Sequence, residues 1–201
     1  KYPGVEEDKE FPRVCNFFFF SVESVLCLQG CLCHYNPYNK SNVCECPGYH
    51  NMKGFHTLQP GTEWLILKGN RLKSLAQVSR YFNNITYLDV SSNNIQYISD
   101  SVIAAINKSQ TLQKINLTYN KFTSLPTILH KLKLKKIWLS GNPFDCNCDM
   151  TWMINWFNTT TVPDGRSIKC VTGSQIGTLI YKLNTTQLGC GSIYSSLNHL
   201  P

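Results

Sequence analysis

No stretch of about 18 uninterrupted apolar residues occurs in this sequence, so nothing in it reads as a membrane-spanning helix. The longest apolar cluster, Phe17 to Phe20 with Val22, Val25 and Leu26, is broken by Ser21, Glu23 and Ser24. It has neither the basic flank nor the initiator methionine of a signal peptide, so an excised or mature fragment is expected. Catalytic signatures are missing as well: there is no H-E-x-x-H, no G-x-S-x-G, no Gly-rich phosphate loop and no acid/base pair. His34, His50, His56, His130 and His199 are scattered, and bonding of all ten cysteines leaves no nucleophilic thiol. We therefore expect no enzyme, no cofactor, no metal and no nucleic-acid partner.

What is present points outside the cytosol. The ten cysteines lie in two clusters, and six Asn-x-Ser/Thr sequons occur, at Asn39, Asn84, Asn107, Asn116, Asn158 and Asn184. Together they imply disulfides and N-linked glycans in an extracellular chain. A zinc reading of Cys31-x-Cys33 with Cys44-x-Cys46 runs against this, because thiolate metal sites belong mainly to reducing compartments. The formal charge of +7 favours an acidic partner or surface, and a solubilising surface excess explains it equally well.

A spaced pattern organises the middle of the chain. Leu134, Ile137, Leu139, Asn142 and Phe144 fall on the template L-x-x-L-x-L-x-x-N-x-L of leucine-rich repeats, where alternate apolar residues of a short strand enter a core. Leu65, Leu67, Asn70 and Leu72 carry it first, then Ile85, Leu88, Val90, Asn93 and Ile95, then Leu112, Ile115, Leu117, Asn120 and Phe122. The asparagines Asn70, Asn93, Asn120 and Asn142 are separated by 23, 27 and 22 residues, the period of such repeats. One repeat has too little apolar surface to fold alone, so the repeats must stack. A buried amide must find partners, and the asparagines are expected to form a ladder with backbone groups of the neighbouring turn. The fold class expected is α/β: a short right-handed leucine-rich repeat solenoid of about four repeats with disulfide-bonded N- and C-terminal caps.

Alternation along the strands sends the intervening residues to a concave surface. Its first column is Trp64, Tyr87, Lys114 and Lys136, its second Ile66, Asp89, Asn116 and Trp138, and its third Lys68, Ser91, Thr118 and Ser140. Trp64, Ile66 and Tyr87 make an apolar patch that marks a candidate binding surface, to which Trp138 is added. Packing of Trp64 and Trp138 beneath cap loops is the competing expectation. A glycan on Asn116 would occupy the centre of this face and push a protein ligand to the flanks or the convex side. In the longest repeat Ser99 reads as the N-cap of a short convex helix with Val102, Ile103 and Ile106 turned inward. The basic stretch His130 to Lys136 alternates with core leucines; it reads as a solvated edge or as a docking strip for acidic lipid, glycosaminoglycan or protein.

The flanks complete the organisation. Residues 1–26 read as a linker or the end of an upstream domain, and Phe17, Phe18, Phe19 and Phe20 as a strand buried on the cap or an association surface. Residues 27–60 form an N-terminal cysteine-rich cap, 61–144 the repeats, 145–190 a C-terminal cysteine-rich cap and 191–201 a juxtamembrane stalk or tail. Thr151 to Phe157 reads as a helix laying Trp152, Met153 and Trp156 over the last repeat.

The cap written CLQGCLCHYNPYNKSNVCEC, four repeats, and then WLSGNPFDCNC with its own cap together resemble the membrane-proximal module of Toll receptors. The multiple-cysteine-cluster type found in invertebrates is the one it is similar to, over about residues 27 to 190. The resemblance implies bonds Cys27 to Cys33 and Cys31 to Cys44, leaving Cys15 and Cys46, which are additional to the simple cap, for each other. At the other end it implies Cys146 to Cys170 and Cys148 to Cys190. It also implies a type I cell-surface receptor in immune or developmental signalling, with a protein ligand of the cystine-knot cytokine kind. The module's part would be a spacer, or a lateral contact in ligand-induced receptor dimerisation. A stand-alone secreted or anchored adhesion or matrix module is the alternative.

Overall fold

The computed structural model describes residues 31–46, 48, 58 and 60–190. The expectations placed on Cys15, Phe17 to Phe20, Cys27 and the tail from 191 lie outside these residues.

Six short strands form one sheet in chain order: β1 (Leu32–Asn36), β2 (Ser41–Glu45), β3 (Trp64–Ile66), β4 (Tyr87–Asp89), β5 (Lys114–Asn116) and β6 (Lys136–Trp138). The hairpin of β1 and β2 is antiparallel, and every later pair is parallel. Each repeat strand turns one residue inward, Leu65, Leu88, Ile115 and Ile137, all essentially inaccessible. The next apolar layer, Leu67, Val90, Leu117 and Leu139, is fully buried. A buried aliphatic of this size contributes roughly 1.5–3 kcal/mol, and stacking is what lets each repeat realise it.

The strands end where the backbone turns into the left-handed region. The residue before each ladder asparagine has positive φ: Gly69 (72°), Ser92 (55°), Tyr119 (54°) and Gly141 (74°). Two of the four repeats thus hold an L side chain where glycine is favoured. The turn directs the asparagine inward. Asn93 donates to Leu67 O at 2.9 Å in the preceding repeat, Asn120 to Val90 O at 2.9 Å, and Asn142 to Leu117 O at 3.0 Å. Their amide oxygens accept from Leu72 N, Ile95 N and Phe122 N of the preceding repeat. Asn70 extends the ladder into the cap by donating to Cys46 O at 2.7 Å.

The return path varies with repeat length. The first repeat uses 3-10 turns at Leu75–Gln77 and Ser79–Tyr81, and the third a 3-10 turn at Thr127–Lys131. The longer second repeat has room for helix α1 (Asp100–Lys108), which buries Val102, Ile103 and Ile106. Ser99 stands at its N-cap, but its hydroxyl pairs with Ser101 Oγ at 3.0 Å instead of capping a helix N–H.

The N-terminal pairing differs from the one the family resemblance implies. The structure bonds Cys31 to Cys46 and Cys33 to Cys44, in place of Cys27 to Cys33, Cys31 to Cys44 and Cys15 to Cys46. The hairpin register is the reason. Cys33 lies directly opposite Cys44 and Leu32 opposite Glu45, so Cys31 faces Cys46 one step further along the same side. Both bonds are rungs across one two-stranded ribbon, and Cys44 and Cys46 are buried beside the first repeat.

The C-terminal cap has strands β7 (Asp145–Cys146) and β8 (Thr172–Gly173) and helix α2 (Thr151–Trp156). It is tied by Cys146–Cys170 and Cys148–Cys190. These bonds span 24 and 42 residues; closing loops of that size stabilises by about 3–4 kcal/mol in the chain-entropy account. Beneath α2, Phe157 meets Phe144 of the last repeat edge-on with ring centroids 5.8 Å apart.

This cap also closes the sheet's last edge, whose unpaired N–H groups would otherwise template another strand. Ile137 N donates to Thr161 O at 2.8 Å, and Leu139 N and Ser140 N both donate to Asp164 Oδ2 at 2.9 and 2.7 Å. One carboxylate oxygen therefore stands in for the strand that a fifth repeat would supply. Asp164→Ala is expected to destabilise by about 2–3 kcal/mol, since each orphaned buried N–H costs about 1–3. Asp164→Asn, which keeps an acceptor, should lose less than about half of that. Denaturant midpoints check both, and equal losses would mean that the two hydrogen bonds contribute little.

A candidate protein-binding face

Parallel register fixes what stands on the concave surface. Trp64, Tyr87, Lys114 and Lys136 are in line, and so are Ile66, Asp89, Asn116 and Trp138. Trp64 packs edge-on against Tyr87 at 4.8 Å between centroids, and Tyr87 against Trp138 at 6.1 Å. β4 and β6 are not neighbours. Two strand spacings separate them by roughly 9–10 Å, so the Tyr87 and Trp138 rings lean toward each other across β5. The result is one continuous half-exposed aromatic row from the first repeat to the fourth, with Ile66 alongside. Trp138 thus turns to the concave row, where the alternative expectation placed it beneath a cap loop.

A polar cluster holds the row from below. Tyr87 Oη donates to Asp89 Oδ2 at 3.2 Å, and the same oxygen accepts from Asn116 Nδ2 at 3.2 Å. Asp89 Oδ1 accepts from Ser91 N at 2.8 Å, which aims the carboxylate at Tyr87. Burial raises the Tyr87 phenol well above its ordinary value, and the Asp89 charge adds to this. The phenol therefore stays protonated and keeps donating, so the ring is fixed at both ends. Edge-on aromatic pairs add about 0.5–1.5 kcal/mol beyond their buried area, and a rigid aromatic loses little entropy on binding a partner.

Asn116 sits in the middle of this arrangement. Its Oδ1 accepts from Thr118 N at 3.1 Å and Thr118 Oγ1 at 2.8 Å, while its Nδ2 is held by Asp89. A glycan there and the closed Tyr87–Trp138 contact compete for the same space. Asn84, Asn107, Asn158 and Asn184 are exposed, and none of these, nor the half-buried Asn39 in the hairpin turn, lies on β3 to β6. Strand register sets Trp64, Ile66, Tyr87 and Trp138 on one face. The roles of Asp89 in orienting the row and of Asp164 in closing the edge leave no trace in the sequence, because a lone acid on a strand or loop carries no periodic signal.

A family model described as Leucine Rich Repeat matches residues 111–132, the third repeat through its convex turn. The fold is a leucine-rich repeat solenoid. The chain is similar to the high affinity nerve growth factor receptor of Gallus gallus, at 30% identity over 149 residues that make up 66% of this chain and 19% of that receptor. It is similar to Protein toll of Drosophila melanogaster at 24% over 192 residues, 81% of this chain and 15% of that protein. Trophoblast glycoprotein of Macaca fascicularis matches at 26% over 136 residues, 67% of this chain and 27% of the relative. The chain thus spans 15% to 27% of the length of these curated relatives. Among solved structures, the Toll–Spatzle complex from Drosophila gives a TM-score of 0.60 at 21% identity, covering 83% of this chain and 22% of the matched one. Human 5T4, the trophoblast glycoprotein, gives 0.56 at 22% identity, covering 64% and 48%. The leucine-rich repeat module is thus ectodomain-like and related to Toll, to nerve growth factor receptors and to trophoblast glycoprotein. Its four described disulfides fit an extracellular location. Among the described residues no helix is long and apolar enough to cross a membrane.

Proposed function

We propose that this leucine-rich repeat module is the membrane-proximal, protein-binding part of a Toll-like receptor ectodomain, and that its aromatic row makes a lateral contact between receptor chains when a protein ligand dimerises them. The row itself carries this reading. Three large rings, braced by Asp89 and Asn116, stand half-exposed on a rigid solenoid closed at its C-terminal edge, and anchored aromatics dominate protein-binding energetics. The similarity to Protein toll over 81% of this chain supports the Toll assignment. The ligand of the parent receptor is a cytokine of the cystine-knot kind, the parent is a type I membrane protein in immune or developmental signalling, and the exposed sequons at Asn84, Asn107 and Asn184 carry glycans facing away from the row.

Sedimentation equilibrium of the non-reduced, glycosylated chain over a wide concentration range tests this. A reversible dimer that Trp138→Ala weakens at least about tenfold is expected, the effect of one anchoring aromatic. A strict monomer at high concentration would remove the pairing role and leave a spacer; a dimer indifferent to Trp138 would move the contact off this face.

A further inference from the structure

A charged edge remains beside the aromatic row. Between the last convex turn and β6 the chain reads Lys131-Leu132-Lys133-Leu134-Lys135-Lys136. Leu134 is buried and Leu132 half-buried, whereas all four lysines are exposed. The leucines anchor the segment, and both Lys135 N and Lys136 N donate to Gln113 O, at 2.7 and 3.2 Å. The ammonium groups are therefore carried on a pinned edge and not on a free loop. Strand register sets Lys114 next to Lys136. On its other side Lys136 lines a cavity of about 400 Å³ together with Arg166, Asn158, Thr159 and Thr160. Arg166 is oriented there by its Nε–H, which donates to Asn158 Oδ1 at 2.8 Å and leaves the outer guanidinium nitrogens to a ligand. No carboxylate of the described residues pairs with any of these lysines.

We propose that this edge, from Lys131 through Lys136 with Lys114 and Arg166, binds a sulfated glycosaminoglycan chain. Cations gathered in line without counter-charges repel one another, and a linear polyanion removes that repulsion while releasing its own condensed counterions. The cavity decides between a glycan and a flat anionic surface. Beside Lys136 and Arg166, its Thr159 and Thr160 hydroxyls suit the sulfate and hydroxyl groups of a sugar ring whose carbon face rests on Val162 and Pro163, whereas a flat bilayer surface cannot enter a recess. The site borders the aromatic row, with Lys114 in register beside Tyr87 and Lys136 on the same strand as Trp138. It rests on the cations alone, so Trp138→Ala should leave heparin binding within about twofold while it weakens pairing.

The experiment titrates a size-defined heparin oligosaccharide into chain whose N-glycans are trimmed to the first sugar, at several salt concentrations. Binding at physiological ionic strength is expected. The triple variant Lys133→Gln, Lys135→Gln, Lys136→Gln should weaken it at least about tenfold and make the log–log salt slope shallower by roughly two to three, about one per lost cation. Arg166→Gln should weaken it by about threefold without changing the fold, which circular dichroism checks. The charge-matched triple Lys68→Gln, Lys73→Gln, Lys121→Gln, at the opposite ends of the strands, should stay within about twofold of the parent. Equal losses in the two triples would reduce the effect to net charge and overturn the site. So would absence of binding, or a preference for phosphatidylserine vesicles over heparin.

Discussion

Gly165→Ala should destabilise the chain by about 3 kcal/mol or more, above the usual range for one added methyl in a packed core. An added Cβ would stand 2.1 Å from Phe157 O and 2.8 Å from Phe157 C, where nothing flexible can move aside. The Gly165 backbone is not in the left-handed region, so the cost is steric alone. Relief requires moving the end of α2, and Phe157 carries its ring against Phe144, so the strain enters the seam between cap and last repeat. For a chain of this size the fall in Tm should be roughly 6–12 °C. Gly177→Ala is the comparison. That glycine has φ +81° with nothing within 4 Å of its added Cβ, so only backbone strain of about 1–2 kcal/mol is expected. Denaturant midpoints of the two variants should separate clearly; coincident midpoints would mean that the cap does not pack Gly165 against the helix end.

Asn93→Ala is expected to lose about 4 kcal/mol, because several buried backbone groups lose their partner together. The Asn93 amide donates to Leu67 O, Val90 O and Ser91 O, and its oxygen accepts from Leu72 N. The site is 4% exposed, so water cannot replace these bonds without opening the turn. Asn93→Asp sharpens the test. A carboxylate would face three carbonyl oxygens, which disfavours its charged form and raises its folded-state pKa above the unfolded value. The variant should then be most stable below about pH 4 and lose stability as pH rises from there, the reverse of an ordinary paired carboxylate. Asn94→Ala, one residue on and exposed, should be near neutral. A pH-independent Asn93→Asp would show that the ladder amide is not aimed at those carbonyls.

The repeat, its period and its ladder asparagines were readable because each is a local signal said four times. Alternate apolar residues on a strand and a buried amide at a fixed offset leave few other ways to satisfy core and backbone at once. Helix α1 was readable for the same reason, as an apolar stripe at helical spacing in the one repeat long enough to hold it. The concave columns followed from register and needed no contact information.

Pairings between distant segments were another matter. Cysteines Cys31, Cys33, Cys44 and Cys46 announce disulfides, but which ones bond depends on the hairpin register of β1 and β2. That register follows from the turn at 37–40 and from β2 docking on β3, not from cysteine spacing. Asp164 is an unremarked acid in a loop until the cap folds back and sets its oxygen against two strand N–H groups. Likewise Tyr87 and Trp138 are two strands apart, and their contact exists because side chains of that length meet above β5. By itself the sequence determined the stacked repeats, their inward and outward faces and a set of cysteines paired as disulfides. Tertiary structure alone decided which cysteines join, what seals the last strand and how the aromatic row closes, because each of these depends on where non-repeating side chains arrive after the repeats have stacked.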